Sequence, residues 1–179
     1  MDQRLVQVLI DRERVRRRVV QLAGQLAADY AESPPLVVGI LNGAARFMME
    51  LLACLPEAFA RQVEYDFVSI SSYAGGQSQG KVQLAKDVGV DLAGREVLVV
   101  DGIVDTGLTL EFVLARFRER QPRSLKVCAL LDKAARRRHP VPVHYRGFAI
   151  EDVFVVGYGM DYDQRYRALD YIGVLGEPR

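Results

Sequence analysis

The sequence predicts an α/β fold: a mainly parallel central sheet flanked by helices. Two observations carry that reading. Three short segments are almost wholly apolar, Leu36–Leu41 (LVVGIL), Glu96–Val100 (EVLVV) and Leu125–Leu131 (LKVCALL), and such runs mark strands buried on both faces, as in parallel sheets. Helical patterns alternate with them, and strands alternating with helices build βαβ units. The 179 residues suit one domain spanning 1–179, with no internal repeat or dividing linker.

Along the chain, Asp11–Ala31 reads as an amphipathic helix, because Val15, Val19, Leu22, Leu26 and Tyr30 recur at three- and four-residue spacing. Ser33-Pro34-Pro35 ends it, since proline cannot supply the helical hydrogen bond. After the strand Leu36–Leu41 and the turn Asn42-Gly43, helical spacing resumes over Arg46–Leu55 until Pro56. Gln62–Ile70 alternates as a strand, with Val63, Tyr65 and Phe67 on one face and Glu64 and Asp66 on the other. Ser71–Gly80 holds three glycines among polar residues and reads as a loop, and Lys81–Asp87 can return as a strand. A turn at Asp91–Arg95 precedes Glu96–Val100. Thr109–Arg120 is helical up to Pro122, and Leu125–Leu131 is the third buried strand.

Composition narrows the classes. Lys and Arg number 24 against 23 Asp and Glu, so net charge is +1 and gives no electrostatic case for wrapping duplex nucleic acid. No apolar run approaches the ~18 residues of a membrane span, and charges at Asp2, Arg4, Asp11 and Arg12 leave no signal-peptide core. Cys54 and Cys128 lie in separate apolar stretches and read as buried thiols rather than a disulfide or metal pair. The balance is that of a cytoplasmic protein.

In such sheets ligands sit beyond the carboxyl ends of the strands, so the loops after Leu41, Val100 and Leu131 are the first candidates for chemistry. Glu96–Leu110 (EVLVVDGIVDTGLTL) runs from a buried strand through Asp101 and Asp105 into a turn and a helix. Backbone N–H groups of Thr106, Gly107, Leu108 and Thr109 converge at that helix's positive end, where a phosphate dianion is stabilised. An ordinary strand-to-helix turn capped by Thr106 or Thr109 is the plain alternative. Asp-Thr-Gly also occurs at the aspartates of aspartic proteases, but that chemistry needs an all-β scaffold, and here a helix follows. No Gly-Lys-Ser/Thr follows to make a Walker loop, and Gly157-Tyr158-Gly159 completes no dinucleotide fingerprint.

VLVVDGIVDTGLTL resembles the phosphoribosyl-pyrophosphate motif of the hypoxanthine-guanine phosphoribosyltransferases, members of the type I phosphoribosyltransferase family. The resemblance continues, in order and with similar spacing, through Leu41-Asn42-Gly43, Ser72-Tyr73, Leu131-Asp132-Lys133, and Phe154-Val155-Val156-Gly157-Tyr158 with Asp161-Tyr162 and Arg167. It implies the type I fold, with a small hood formed by the terminal segments. It also implies transfer of a 5-phosphoribosyl group to N9 of a 6-oxopurine, with Mg2+ as cofactor and assembly as a homodimer or homotetramer.

By that resemblance Asp105 faces N7 of the purine as the proton-handling carboxylate, placed beside a phosphate whose like charge favours keeping a proton. Asp105 and Thr106–Thr109 hold the 5′-phosphate. Lys133 donates to the 6-oxo oxygen, where a snorkelling surface lysine is the alternative. Phe154 stacks on the purine, where core packing is the alternative. Val155 meets the base edge through its backbone, and the region of Asp161 reads the 2-position. Leu41, Asn42, Gly43 and Arg167 face pyrophosphate, Asp161 and Asp101 serve the magnesium, Asp101 meets the ribose, and Ser72-Tyr73 belongs to a closing loop.

The chain departs from the family at Asp101-Gly102, where relatives carry Glu-Asp. A lost charged hydrogen bond typically costs about 1.5–3 kcal/mol, so Gly102→Asp is expected to report whether the site is impaired. A ligand-sensing or RNA-binding regulator on the same fold is the alternative function, with Arg136-Arg137-Arg138 as its basic feature. A loop meeting solvent or a subunit is the simpler reading of that run. His139 and His144, five apart, lack helical metal-ligand spacing.

Overall fold

The computed structural model describes residues 6–72 and 82–176. Six strands form the main sheet in the order β4-β3-β2-β5-β6-β7. These are β2 (Leu36–Leu41), β3 (Glu64–Ser72), β4 (Val82–Lys86), β5 (Glu96–Val104), β6 (Ser124–Asp132) and β7 (Tyr145–Ala149). All neighbours run parallel except β3 and β4.

The two-residue period of the strands divides the core into two layers. Val37, Leu98, Val100, Cys128 and Leu130 pack with the helices α1 (Arg12–Asp29) and α2 (Ala45–Ala53). Leu36, Val38, Val97, Val99, Val127 and Ala129 pack on the other side with Leu110, Val113, Leu114 and Phe117 of α4 (Leu108–Arg118). Helix α1 starts where a cap is available: the Asp11 carboxylate accepts the Arg14 N–H at 2.8 Å, satisfying a donor that lacks an intrahelical partner.

A second, antiparallel sheet of order β1-β9-β8 joins both ends of the chain: β1 (Val6–Ile10), β9 (Ile172–Leu175) and β8 (Val155–Val156). This is the small sheet expected of the terminal segments. The elements of the main sheet differ from the sequence reading at their ends. Strand β3 continues through Ser71 and Ser72, where a loop was expected to begin; Tyr73 lies outside the described residues. Strand β5 runs to Val104 rather than Val100, because β6 keeps pairing as far as Val104 with Asp132. A short helix α3 (Glu57–Ala60) follows Pro56, and β7 was not expected.

Candidate active site

Alternation at the end of β5 decides what Asp101 and Gly102 can meet. Asp101 continues the series Val97, Val99 toward α4, and Gly102 continues Leu98, Val100 toward α2. Asp101 is half-buried as a whole residue, and desolvation of its carboxyl pushes the pKa up to about 7, against the pull of backbone N–H groups of Ile103 and Gly102. It lines a cavity of about 160 Å³ together with Ile103, Asp105 and the turn Thr106–Leu110.

That turn opens α4 without a side-chain cap. Gly107 is the N-cap residue at φ +90, and the Leu108 N–H reaches the Thr106 hydroxyl only at 3.5 Å. The threonine-capped turn is therefore not what forms. Donors of the first turn lack intrahelical partners and border the cavity. A side chain at 107 would meet the backbone carbonyl of His139, so glycine is required there twice over, by its φ and by that approach. The same segment is tied down from above: the N–H groups of Arg138 and His139 donate to the Thr106 carbonyl at 3.0 and 2.9 Å.

A second cavity, of about 340 Å³, shares Ile103 and Asp105 with the first. Asn42, Gly43, Lys133, Phe154, Asp161 and Arg167 also border it. Lys133 is buried, at 5% exposure, and its N–H donates to the Val104 carbonyl at 3.0 Å. It is therefore no snorkelling surface lysine. Its ammonium stands 3.9 Å from both Asp105 and Asp152. Phe154 is 54% exposed and meets Tyr162 edge to face at 5.8 Å, so it does not belong to the core. Val155 is buried in β8.

Asp105 has Arg136 Nε 2.9 Å from its Oδ1. The approach is poorly aligned, and that buried oxygen has no hydrogen-bond partner. Arg136 Nη1 reaches both oxygens of Asp152 at 3.3 Å. In the free protein two cations, Lys133 and Arg136, face Asp105. Arg137 turns inward to the buried Asp132, which Arg146 also meets at 3.2 Å. Arg136 and Arg137 thus join two separate ion-pair networks, while Arg138 of the same run is exposed. His139 pairs with Glu111 at 2.7 Å, while His144 Nδ1 accepts the Val127 N–H at 3.0 Å.

On the far side of the second cavity, Asp161 and Arg167 hold each other at 2.8 Å. The other Asp161 oxygen accepts the Gln164 N–H at 2.9 Å, and Arg167 donates to the Gly159 carbonyl at 2.7 Å. The Leu41–Asn42 peptide is cis. Among the described residues no group of three or more His, Cys, Asp or Glu could hold a metal ion. The structure thus brings together residues 42–43, 101, 105–109, 133, 154–155, 161 and 167. Ser72 ends β3. Sequence reasoning saw Arg136 only as part of a basic run and missed its pairing with Asp152, because an ion pair across 16 residues leaves no periodic trace.

A family model for the phosphoribosyl transferase domain matches residues 9–163. Over 169 residues the chain is 40% identical to the hypoxanthine-guanine phosphoribosyltransferase of Bacillus subtilis, covering 94% of this chain and 92% of that protein. It is 38% identical over 174 residues to the hypoxanthine-guanine-xanthine phosphoribosyltransferase of Tritrichomonas foetus, covering 97% and 93%. The crystal structure of a hypoxanthine-guanine phosphoribosyltransferase from Bacillus anthracis superposes with a TM-score of 0.87 at 36% identity, covering 97% of this chain and all of that one.

Proposed function

Because the chain belongs to the phosphoribosyl transferase family, we propose that it moves a 5-phosphoribosyl group from phosphoribosyl pyrophosphate to N9 of hypoxanthine or guanine. The products are inosine or guanosine monophosphate and pyrophosphate, the chemistry of purine salvage. One observation carries the reading. Two adjoining cavities share Asp105; one is bordered by an uncapped helix N-terminus, the other by a buried lysine and an exposed aromatic ring.

Bond breaking at the anomeric carbon builds positive charge on the ribose and negative charge on the leaving group, so the protein's task is preorganisation. The amides and hydroxyls of Thr106–Thr109 bind the 5′-phosphate. Lys133 donates to the 6-oxo oxygen, which favours 6-oxopurines over adenine, whose amino group offers no acceptor there. Phe154, more than half exposed, stacks on the base, and the backbone of Val155 meets its edge. Asp105, adjoining both cavities, handles the proton at N7. Asp101 holds the ribose hydroxyls, while Asn42, Gly43 and Arg167 face pyrophosphate.

The donor set fits Mg2+ as a passenger on pyrophosphate. Asp101 and Asp161 each offer one carboxylate, and Mg2+ commonly takes one or two, filling its shell with phosphate oxygens and water. Bound there, the ion supplies charge neutralisation of the leaving group. A cytoplasmic enzyme suits Cys54 and Cys128, both free thiols. No helix among the described residues is long and apolar enough to cross a membrane. Assembly as a homodimer or homotetramer of single-domain chains belongs to the same proposal.

The test is conversion of radiolabelled hypoxanthine, guanine and xanthine with phosphoribosyl pyrophosphate and Mg2+. Nucleotide product from hypoxanthine or guanine is expected. Absence of product from all three, with inosine monophosphate still bound, would replace the transferase by a ligand-sensing regulator.

A further inference from the structure

Residue 102 sits on β5 facing α2 and the loop that precedes it. A side-chain carbon built at Gly102 would stand 2.7 Å from the Gly43 carbonyl oxygen and 3.0 Å from its carbon. The obstacle is backbone, which cannot rotate aside as a flexible side chain does. Gly159, at φ +98, meets the same carbonyl: an added carbon there would approach the oxygen more closely still. The Gly43 carbonyl is therefore approached closely by two bare α-carbons from distant parts of the chain. Outward from Gly43 itself nothing lies within 4 Å of a built side-chain carbon, so on that side the loop is open.

This contact is fastened to the rest of the site. Gly159 donates to the Arg167 carbonyl at 3.0 Å and accepts from the Arg167 guanidinium at 2.7 Å. Arg46, in the first turn of α2, donates to the carbonyls of Ala168 and Leu169 at 2.9 and 2.8 Å and stacks on the Tyr158 ring at 4.7 Å. Movement of the loop away from β5 must work against both ties.

The geometry points to Gly102 as a positioning residue that sets how deeply the Asn42–Gly43 loop enters the site, and hence how tightly the pyrophosphate end of the donor substrate is gripped. This rests on the transferase reading above. It also changes the meaning of the missing acid at 102. The place a side chain would need is taken by the Gly43 backbone, so Gly102→Asp is not the clean gain-of-function comparison that the sequence suggests. A carboxylate added there displaces the loop.

Steady-state kinetics of Gly102→Ala test this. Overpacking against backbone is expected to raise the KM for phosphoribosyl pyrophosphate about 10-fold or more. The KM for hypoxanthine and the Kd for inosine monophosphate, which also reports folding, stay within about twofold. Inhibition by pyrophosphate weakens in parallel. Gly159→Ala, pressing on the same carbonyl, should show the same split, and Gly102→Asp should lose rather than gain. An active wild type whose Gly102→Ala variant keeps its donor KM, or loses inosine monophosphate affinity equally, overturns the inference alone. So does a Gly102→Asp variant faster than wild type, or a Gly102→Ala chain that cannot fold while Gly159→Ala shows no split. A wild type inert toward phosphoribosyl pyrophosphate overturns the functional reading, and the inference falls with it.

Discussion

Replacing Asp105 by asparagine keeps the side chain's shape and removes its charge, which separates proton handling from binding. The local cost is small, because the ion pair with Arg136, 2.9 Å but 40% and 41% exposed, belongs to the class worth about 0–1 kcal/mol, and the buried Lys133 keeps Asp152 at the same 3.9 Å at which it meets Asp105. For a chain of this size that corresponds to a melting shift of about 2–4 °C at most. The neutral amide can still hydrogen-bond a purine nitrogen, and exchanging one hydrogen bond for another of about 0.5–1.5 kcal/mol keeps inosine monophosphate affinity within about tenfold. A positioned acid or base contributes about 10²–10⁴ to rate, so kcat should fall at least about 100-fold. The assay is radiolabelled hypoxanthine conversion at saturating donor, with inosine monophosphate titration and thermal melting on the same preparations. Turnover within about threefold of wild type, or product affinity lost in step with turnover, refutes proton handling by Asp105.

Other substitutions probe neighbouring claims. Lys133→Met removes a buried cation between Asp105 and Asp152; losing a charged hydrogen bond to the 6-oxo oxygen should raise the hypoxanthine KM about 10- to 150-fold, measured against guanine in the same assay. Phe154→Ala removes an exposed ring, so stability should change by no more than about 0.5 kcal/mol, while isothermal titration shows nucleotide affinity falling about 2- to 10-fold with loss of stacking. Asp101 has its folded pKa raised to about 7, above its unfolded value, so the folded form binds the extra proton. Stability therefore declines as pH rises from about 4 to about 7 and levels off beyond. In metal-free buffer Asp101→Asn should be the more stable protein at pH 8, the advantage shrinking as pH falls through 7; denaturant melts across that range measure it.

Much of the main sheet is legible because its strands are buried on both faces. Leu36–Leu41 has the same bounds in sequence and structure, and α1 begins one residue after its Asp11 cap. Legibility fails where burial is partial. Strand β1 is mostly exposed, with Val8 at 53%, and β8 is two residues long, so neither carries a periodic signal. Both exist because each finds hydrogen-bond partners in β9. The extension of β5 to Val104 comes likewise from its pairing with β6, through a stretch containing Gly102 that breaks the apolar run.

The linear order of motifs by itself determined the fold class, the family and many of the residues that border the two cavities, because strand ends and glycine-bearing turns are written in local composition. Tertiary structure alone decided how those residues face one another. It turned Arg136 and Arg137 from a basic run into partners of Asp105 and Asp132, and it exposed Phe154 while burying Lys133. It also closed the space beyond Gly102 with the carbonyl of Gly43. Charge pairing and close backbone approach depend on groups distant along the chain, and their distances are settled only when the sheet brings its loops to a common edge.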